Sequence, residues 1–307
     1  YGGLSMWNRT EAGSYELPMN DQTPPASGYT IQFGDLYSDN TSGAVHWAGT
    51  LNPDATTQYG AYGYFNFNLI VEDFGQTPTI PSAWALDHWA PSTGGLGSSF
   101  NAPVALSGDA AGTIYAAFNN PTAAEATRSV QVMKSTDQGV TWGAENVMPV
   151  SLLDQFAAAH GGDIAFQPGL TPYPGGDFVV FGSDEYSVFY RLATGIRSTT
   201  DPNAIDTILT FHIVEANYKA GTWTLNPVAE LQTLNFQMIE VGPSQDSIST
   251  AIGEPAISVD DNGRGHEIQV ALTADGNAVV VKWVDINPDT TKIHSFAPIR
   301  VFDEQTN

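Results

Sequence analysis

An all-β fold is what this sequence predicts, arranged as a β-propeller of five or six four-stranded antiparallel blades. Three observations predict it. Short apolar or alternating runs, each bounded by Gly, Pro, Asn, Asp or Ser, recur along the whole chain. A fixed order of strands repeats several times, as in a ring of similar blades. The 307 residues include 30 Gly and 19 Pro but only 14% charged residues, which suits many short strands and tight turns better than helices.

The strands follow in order. Tyr1 to Leu17 reads as the last two strands of a blade. Gly43–Thr50 (GAVHWAGT) and Tyr62–Val71 (YGYFNFNLIV) come next, then Thr113–Phe118 (TIYAAF) and Arg128–Lys134 (RSVQVMK). Asp177–Phe181, Tyr186–Leu192 and Thr207–Val214 form a central group. His266–Thr273 and Ala278–Val284 lie near the end, and Lys292–Phe302 reads as a closing fourth strand. With weaker candidates the total is about twenty strands. Only two short helices are expected, Leu152–Ala159 with Ser151 as N-cap and Gly161 beyond its end, and Pro81–Trp89.

The repeat is clearest in Asn101–Val150, where a small-residue strand, TIYAAF and RSVQVMKS lead to a tight turn and a strand after Trp142. Gly253–Val284 repeats the first three steps, as does Gly161–Ser183 with its GGDIAF and GGDFVVF runs, and Ser27–Val71 follows more loosely. No linker interrupts the chain, so residues 1–307 read as a single propeller domain. The start at Tyr1 reads as a processed product or a fragment of a larger secreted protein.

Within the repeat, Ser135-Thr136-Asp137-Gln138-Gly139-Val140-Thr141-Trp142 fits S-x-D-x-G-x-T-W at all five fixed positions, Ser135, Asp137, Gly139, Thr141 and Trp142. In a hairpin, Asp137 would accept hydrogen bonds from turn amides, Gly139 would take a positive φ, and Trp142 would pack between strands. The motif resembles the Asp-box, or BNR repeat, of sialidase-like propellers, secreted proteins of bacterial type among them. The resemblance implies a structural role for the box, at the blade periphery. Ala220-Gly221-Thr222-Trp223 is a degenerate echo without the Asp, and Asn8–Gly13 a fainter one.

Sialidases as a family hold the substrate carboxylate with three arginines, use a Tyr–Glu nucleophile and an Asp acid/base, and carry R-I-P at the first arginine. R-I-P is absent here, and the arginines are Arg9, Arg128, Arg191, Arg197, Arg264 and Arg300. Arg128 and Arg191, in strands, are candidates to reach a central channel. Another glycosidase needs two carboxyls about 5–10 Å apart. Asp163, Asp184, Glu185 and Glu254 lie at strand ends where such a channel would form, and His160-Gly161-Gly162-Asp163 sets an imidazole near a carboxylate. No H-E-x-x-H or G-x-S-x-G pattern supports a zinc or serine hydrolase. Asp285, Asn287 and Asp289 resemble the start of a calcium loop but lack its turn Gly and its closing Glu. Calcium is therefore the one candidate cofactor. Trp47, Tyr59, Tyr62, Tyr64, Trp84 and Trp89 are candidate sugar or protein contacts, or blade packing.

Charge narrows the partners. Ten Lys and Arg against 33 Asp and Glu give a net charge of −23, which disfavours nucleic acid and anionic membrane surfaces. No apolar run approaches the roughly 20 residues of a membrane span. The lack of Cys removes disulfide scaffolds, iron–sulfur clusters and Cys-ligated zinc. The expectation is a non-catalytic extracellular or cell-surface propeller that binds a protein or glycan. The alternatives are a glycoside hydrolase or lyase and a structural part of a surface or filament assembly. A salt-adapted cytoplasmic protein is the alternative for location.

Overall fold

The computed structural model describes residues 3–7, 15–20, 30–39, 42–52, 61–68, 104–119, 129–143, 146–164, 173–200, 205–231, 268–283, 285–286, 295–296 and 299–303. These residues are all-β apart from one helix, and their sheets are mostly antiparallel. The chain forms two compact units, Tyr1–Ala124 with Gln131–Val147, and Glu125–Val130 with Met148–Asn307.

In the first unit, β1 (Gly3–Trp7) and β2 (Tyr15–Asn20) make a hairpin. β3 (Thr30–Asp39), β4 (Ala44–Asn52) and β5 (Ala61–Asn68) make a meander. β6 (Ala105–Gly108), β7 (Ile114–Asn119), β8 (Val130–Ser135) and β9 (Asn146–Val147) make a four-stranded sheet in sequence order. The core between these two sheets is Ala48, Tyr64, Val104, Leu106, Ile114, Ala116, Met133 and Trp142, with Tyr37 at its margin. Gly108 is needed there because any Cβ would enter the Tyr37 ring.

The second unit opens with α1 (Val150–Ala159). Its buried face is Leu153, Phe156 and Ala157, at the three-and-four spacing of an amphipathic helix. The expected cap is corrected: Pro149 is the N-cap and Ser151 lies inside the first turn, with no side-chain cap bond. Pro149 has an extended backbone (φ −59°, ψ 127°), and its carbonyl accepts from the Leu152 N–H. Proline fixes φ and lacks an N–H, so it enters a helix without losing a bond. At the other end Gly161 takes φ +76°, and its N–H and that of Gly162 bond back to Ala158 and Ala157.

β10 (Asp163–Ile164) and β11 (Tyr173–Gly182) lie along the same edge of β12 (Glu185–Arg197), which continues to β13 (Ile205–Lys219) and β14 (Thr222–Leu231). β15 (Gln269–Leu272), β16 (Ala278–Lys282) and β19 (Ile299–Asp303) form a further sheet. The short hairpin of β17 (Asp285–Ile286) and β18 (Ser295–Phe296) comes before β19 in the chain. The core here joins Val179, Phe189, Phe211, Ile213 and Val228 to Ile268, Val279, Val281 and Trp283. Burying such side chains stabilises by roughly 1.5–3 kcal/mol each. The candidate helix Pro81–Trp89 lies outside the described residues.

Candidate functional site

The hairpin between β8 and β9 is built around Asp137. Its Oδ1 accepts from the Thr141 N–H (2.8 Å) and the Ser135 hydroxyl (2.8 Å), and its Oδ2 accepts from the Thr141 hydroxyl (2.5 Å). These donors hold the carboxyl below the usual carboxylate range, the Thr141 hydroxyl first. The Ser135 hydroxyl oxygen accepts from the Gly139 N–H (2.8 Å). The chain turns through two positive φ values, +59° at Gln138 and +84° at Gly139. Trp142 then drops into the core, edge-on to Tyr64 with ring centroids 5.3 Å apart.

A buried polar network anchors the hairpin tip. The Gln138 carbonyl accepts from Asn66 Nδ2 (2.8 Å) and lies 3.1 Å from the Tyr64 hydroxyl, while His46 Nδ1 is 2.6 Å from that hydroxyl. Tyr64 has one proton. The hydroxyl gives it to the Gln138 carbonyl, whose second lone pair takes the Asn66 donor, so neutral His46 donates its Nδ1–H to the Tyr64 oxygen. The buried His46 Nε2 then has no hydrogen-bond partner. Burial lowers the His46 pKa to about 4 and pushes the Tyr64 hydroxyl up. Trp47 and Tyr64 are core residues, 3% and 4% exposed, so their rings pack instead of presenting a surface. The side chain of Tyr62, and Tyr59, Trp84 and Trp89, lie outside the described residues.

Among the described residues, the candidate channel carboxylate Asp163 lies apart from Asp184 and Glu185. Asp163 pairs with Gly195 on β12 and lies 3.8 Å from the Arg197 guanidinium. Asp184 (φ +59°) and Glu185 sit at the β11–β12 turn, where Glu185 pairs with Lys219. Glu185 and Gly195 are ten residues apart on one strand, about 33 Å at the usual rise, far beyond the separation of a glycosidase pair. Arg191 is 4% exposed, its guanidinium carbon 4.7 Å from the Phe211 ring centroid, so it belongs to the core. Arg128 and Glu254 lie outside the described residues.

Two other acids hold matching positions that the sequence reading missed. Asp35 follows a register shift in β3, and Asp177 follows one in β11. Asp35 accepts from the Leu36 N–H (2.8 Å) and, across to the next sheet, from the Leu106 N–H of β6 (2.7 Å). Asp177 accepts from the Phe178 N–H (2.8 Å) and from the Val270 N–H of β15 (2.7 Å). Burial raises the Asp177 pKa, against the lowering effect of its two N–H donors. The signal was present as Gly34-Asp35-Leu36 and Gly176-Asp177-Phe178.

The match extends along both meanders. The Tyr37, His46, Asn66 row of the first corresponds to the Val179, Ser187, Asn217 row of the second, each two residues past its Asp. Ser187 donates to Glu215 Oε1 (2.6 Å), and Asn226 to its Oε2 (3.1 Å). The degenerate echo is a hairpin too, with φ +50° at Ala220 and +85° at Gly221, and Trp223 buried beyond it.

No group of three or more His, Asp or Glu among the described residues is placed to hold a metal ion. Asp285 lies in β17, and Asn287 and Asp289 are outside the described residues. Among the described residues no helix is long and apolar enough to cross a membrane.

No protein-family model matches the chain, and no curated protein matches its sequence. Solved structures that it is similar to include a Hadza microbial sialidase, at 12% identity and TM-score 0.42, covering 89% of this chain and 44% of that one. An α-L-arabinofuranosidase from Fusarium graminearum is 11% identical at TM-score 0.41, covering 91% of this chain and 64% of that one. An endo-arabinase from Bacteroides thetaiotaomicron is 13% identical at TM-score 0.43, covering 92% and 80%. The chain spans less than two thirds of the length of the first two.

Proposed function

We propose that the chain is a glycan-directed β-propeller module that acts outside the cell by presenting a binding surface. The observation that carries the reading is the repeated joint, in which Asp35 and Asp177 each tie the leading strand of one sheet to the leading strand of the next. A constant step between leading strands is what a ring of blades around a channel requires. On this reading the Ser135–Trp142 hairpin is an Asp-box of the sialidase-like group, set on the far side of its blade. A net charge of −23 favours a neutral glycan over an anionic one. Binding without cleavage is supported by the work five of the described carboxylates already do: Asp137 in a turn, Asp35 and Asp177 in joints, Asp163 and Glu185 in ion pairs.

A glycoside hydrolase or lyase is the second reading. Asp177 bears on it, because a buried carboxyl with a raised pKa is what an acid catalyst needs, yet both its oxygens already accept main-chain N–H groups. Calorimetric titration with neutral arabino-, xylo- and manno-oligosaccharides, run beside an assay for new reducing ends and unsaturated products, tests the choice. Binding without product supports the module. Product establishes the enzyme, and the absence of both removes the glycan assignment.

A further inference from the structure

Among the described residues of the second unit, His212 is the most confined imidazole. It is 2% exposed, and its Nε2 is buried with no hydrogen-bond partner. Phe156 of α1 meets it edge-on at 5.1 Å between centroids, and His160, just past the helix, lies 4.5 Å away. His160 stacks on Phe156 at 4.2 Å, and its Nδ1 is 2.7 Å from the Phe156 carbonyl. A carbonyl only accepts, so Nδ1 carries a proton and neutral His160 has a bare Nε2. Three rings thus fasten the end of α1 to β13.

We propose that Phe156, His160 and His212 form an acid-sensitive clasp, docked at neutral pH and released with α1 as the medium acidifies. The groups around His212 favour this outcome. From α1 it faces a second imidazole. On β12 the Tyr190 side chain shares its face, and on β14 Glu230 is its cross-strand partner but exposed. Asp163 of β10, three residues after His160, is paired with Arg197. A proton on buried His212 therefore meets a neighbour that takes the same charge. Burial, then His160, lower its pKa to about 4. A folded-state value below the usual 6.5 gives stability that is present above about pH 6.5 and lost as pH falls toward about 4. Gly161 and Gly162, directly after His160, add no side chain to the hinge.

Hydrogen exchange of the Leu153–His160 amides, corrected for intrinsic rates, tests this at pH 7 and pH 5. Protection in the wild type is expected to fall about twentyfold over that interval. In His212→Phe it should stay flat, and in His160→Gln the fall should be smaller. An equal fall in wild type and His212→Phe, or none in the wild type, overturns the proposal. An NMR titration of wild-type His212 decides the matter even if His212→Phe fails to fold. A midpoint well below 6.5 supports the clasp, and one at or above 6.5 sinks it.

Discussion

Gly139 and Gly221 share one backbone conformation, φ +84° and +85°, under different constraints. A Cβ at Gly139 would run into the Tyr64 ring and hydroxyl, whereas nothing lies near one at Gly221. Gly221→Ala should therefore cost only the left-handed backbone term, about 1–2 kcal/mol. Gly139→Ala adds overpacking against Tyr64, a further 1–3 kcal/mol or so. Urea melts of the two variants check the difference, and equal midpoints would contradict the docked hairpin. Asp137 makes a separate, pH-dependent contribution. Its lowered pKa means stability that is present above the unfolded carboxylate value and lost as pH falls through the folded one. Asp137→Ala should lower the melting temperature at pH 7, by an amount that shrinks toward pH 3, while leaving ligand binding in place. Lost binding with an unchanged melting temperature would show a functional carboxylate instead.

At the scale of the element, the joints are the test of the repeat. Asp177→Asn and Asp35→Asn each place an amide where two main-chain N–H groups need acceptors. Each should cost about 1–3 kcal/mol, read as a shift in denaturation midpoint, and the two costs should be similar because the geometry is the same. A loss at one site alone would mean that the two sheets are not built alike. Most strands were legible because alternation and flanking turn residues are local properties: GAVHWAGT became Ala44–Asn52 and TILTFHIV lies within Ile205–Lys219. The hairpin at Asp137 was legible for the same reason. The joints were not, since a register shift and a bond to a residue 71 or 93 positions away leave no local periodicity. The spacing of the described channel candidates was not legible for another reason. Asp163 and Glu185 both flank strand ends, but sequence does not say that these are opposite ends of β12.

For the whole molecule, a net charge of −23 implies self-repulsion that salt screens. The Debye length falls from about 10 Å at 0.1 M to about 3 Å at 1 M, so the melting temperature should rise with NaCl. Calcium and magnesium at equal ionic strength screen alike, and a rise specific to calcium would reveal a carboxylate site. No rise with any of these salts would mean that the acids are already compensated locally.

The joints also bear on the order of folding. β11 to β14 follow one another in the chain and pair largely with sequence neighbours, whereas the Asp177–Val270 bond closes a span of 93 residues and the Tyr64–Gln138 contact one of 74. Closing such long loops is an entropic step that native contacts reward only afterward. The β11–β14 meander is therefore expected early, and the sheet-to-sheet bonds after the main barrier. Joint substitutions should then accelerate unfolding and leave the refolding rate nearly unchanged. In kinetic terms, the two aspartates would act as latches that slow the opening of an already formed protein.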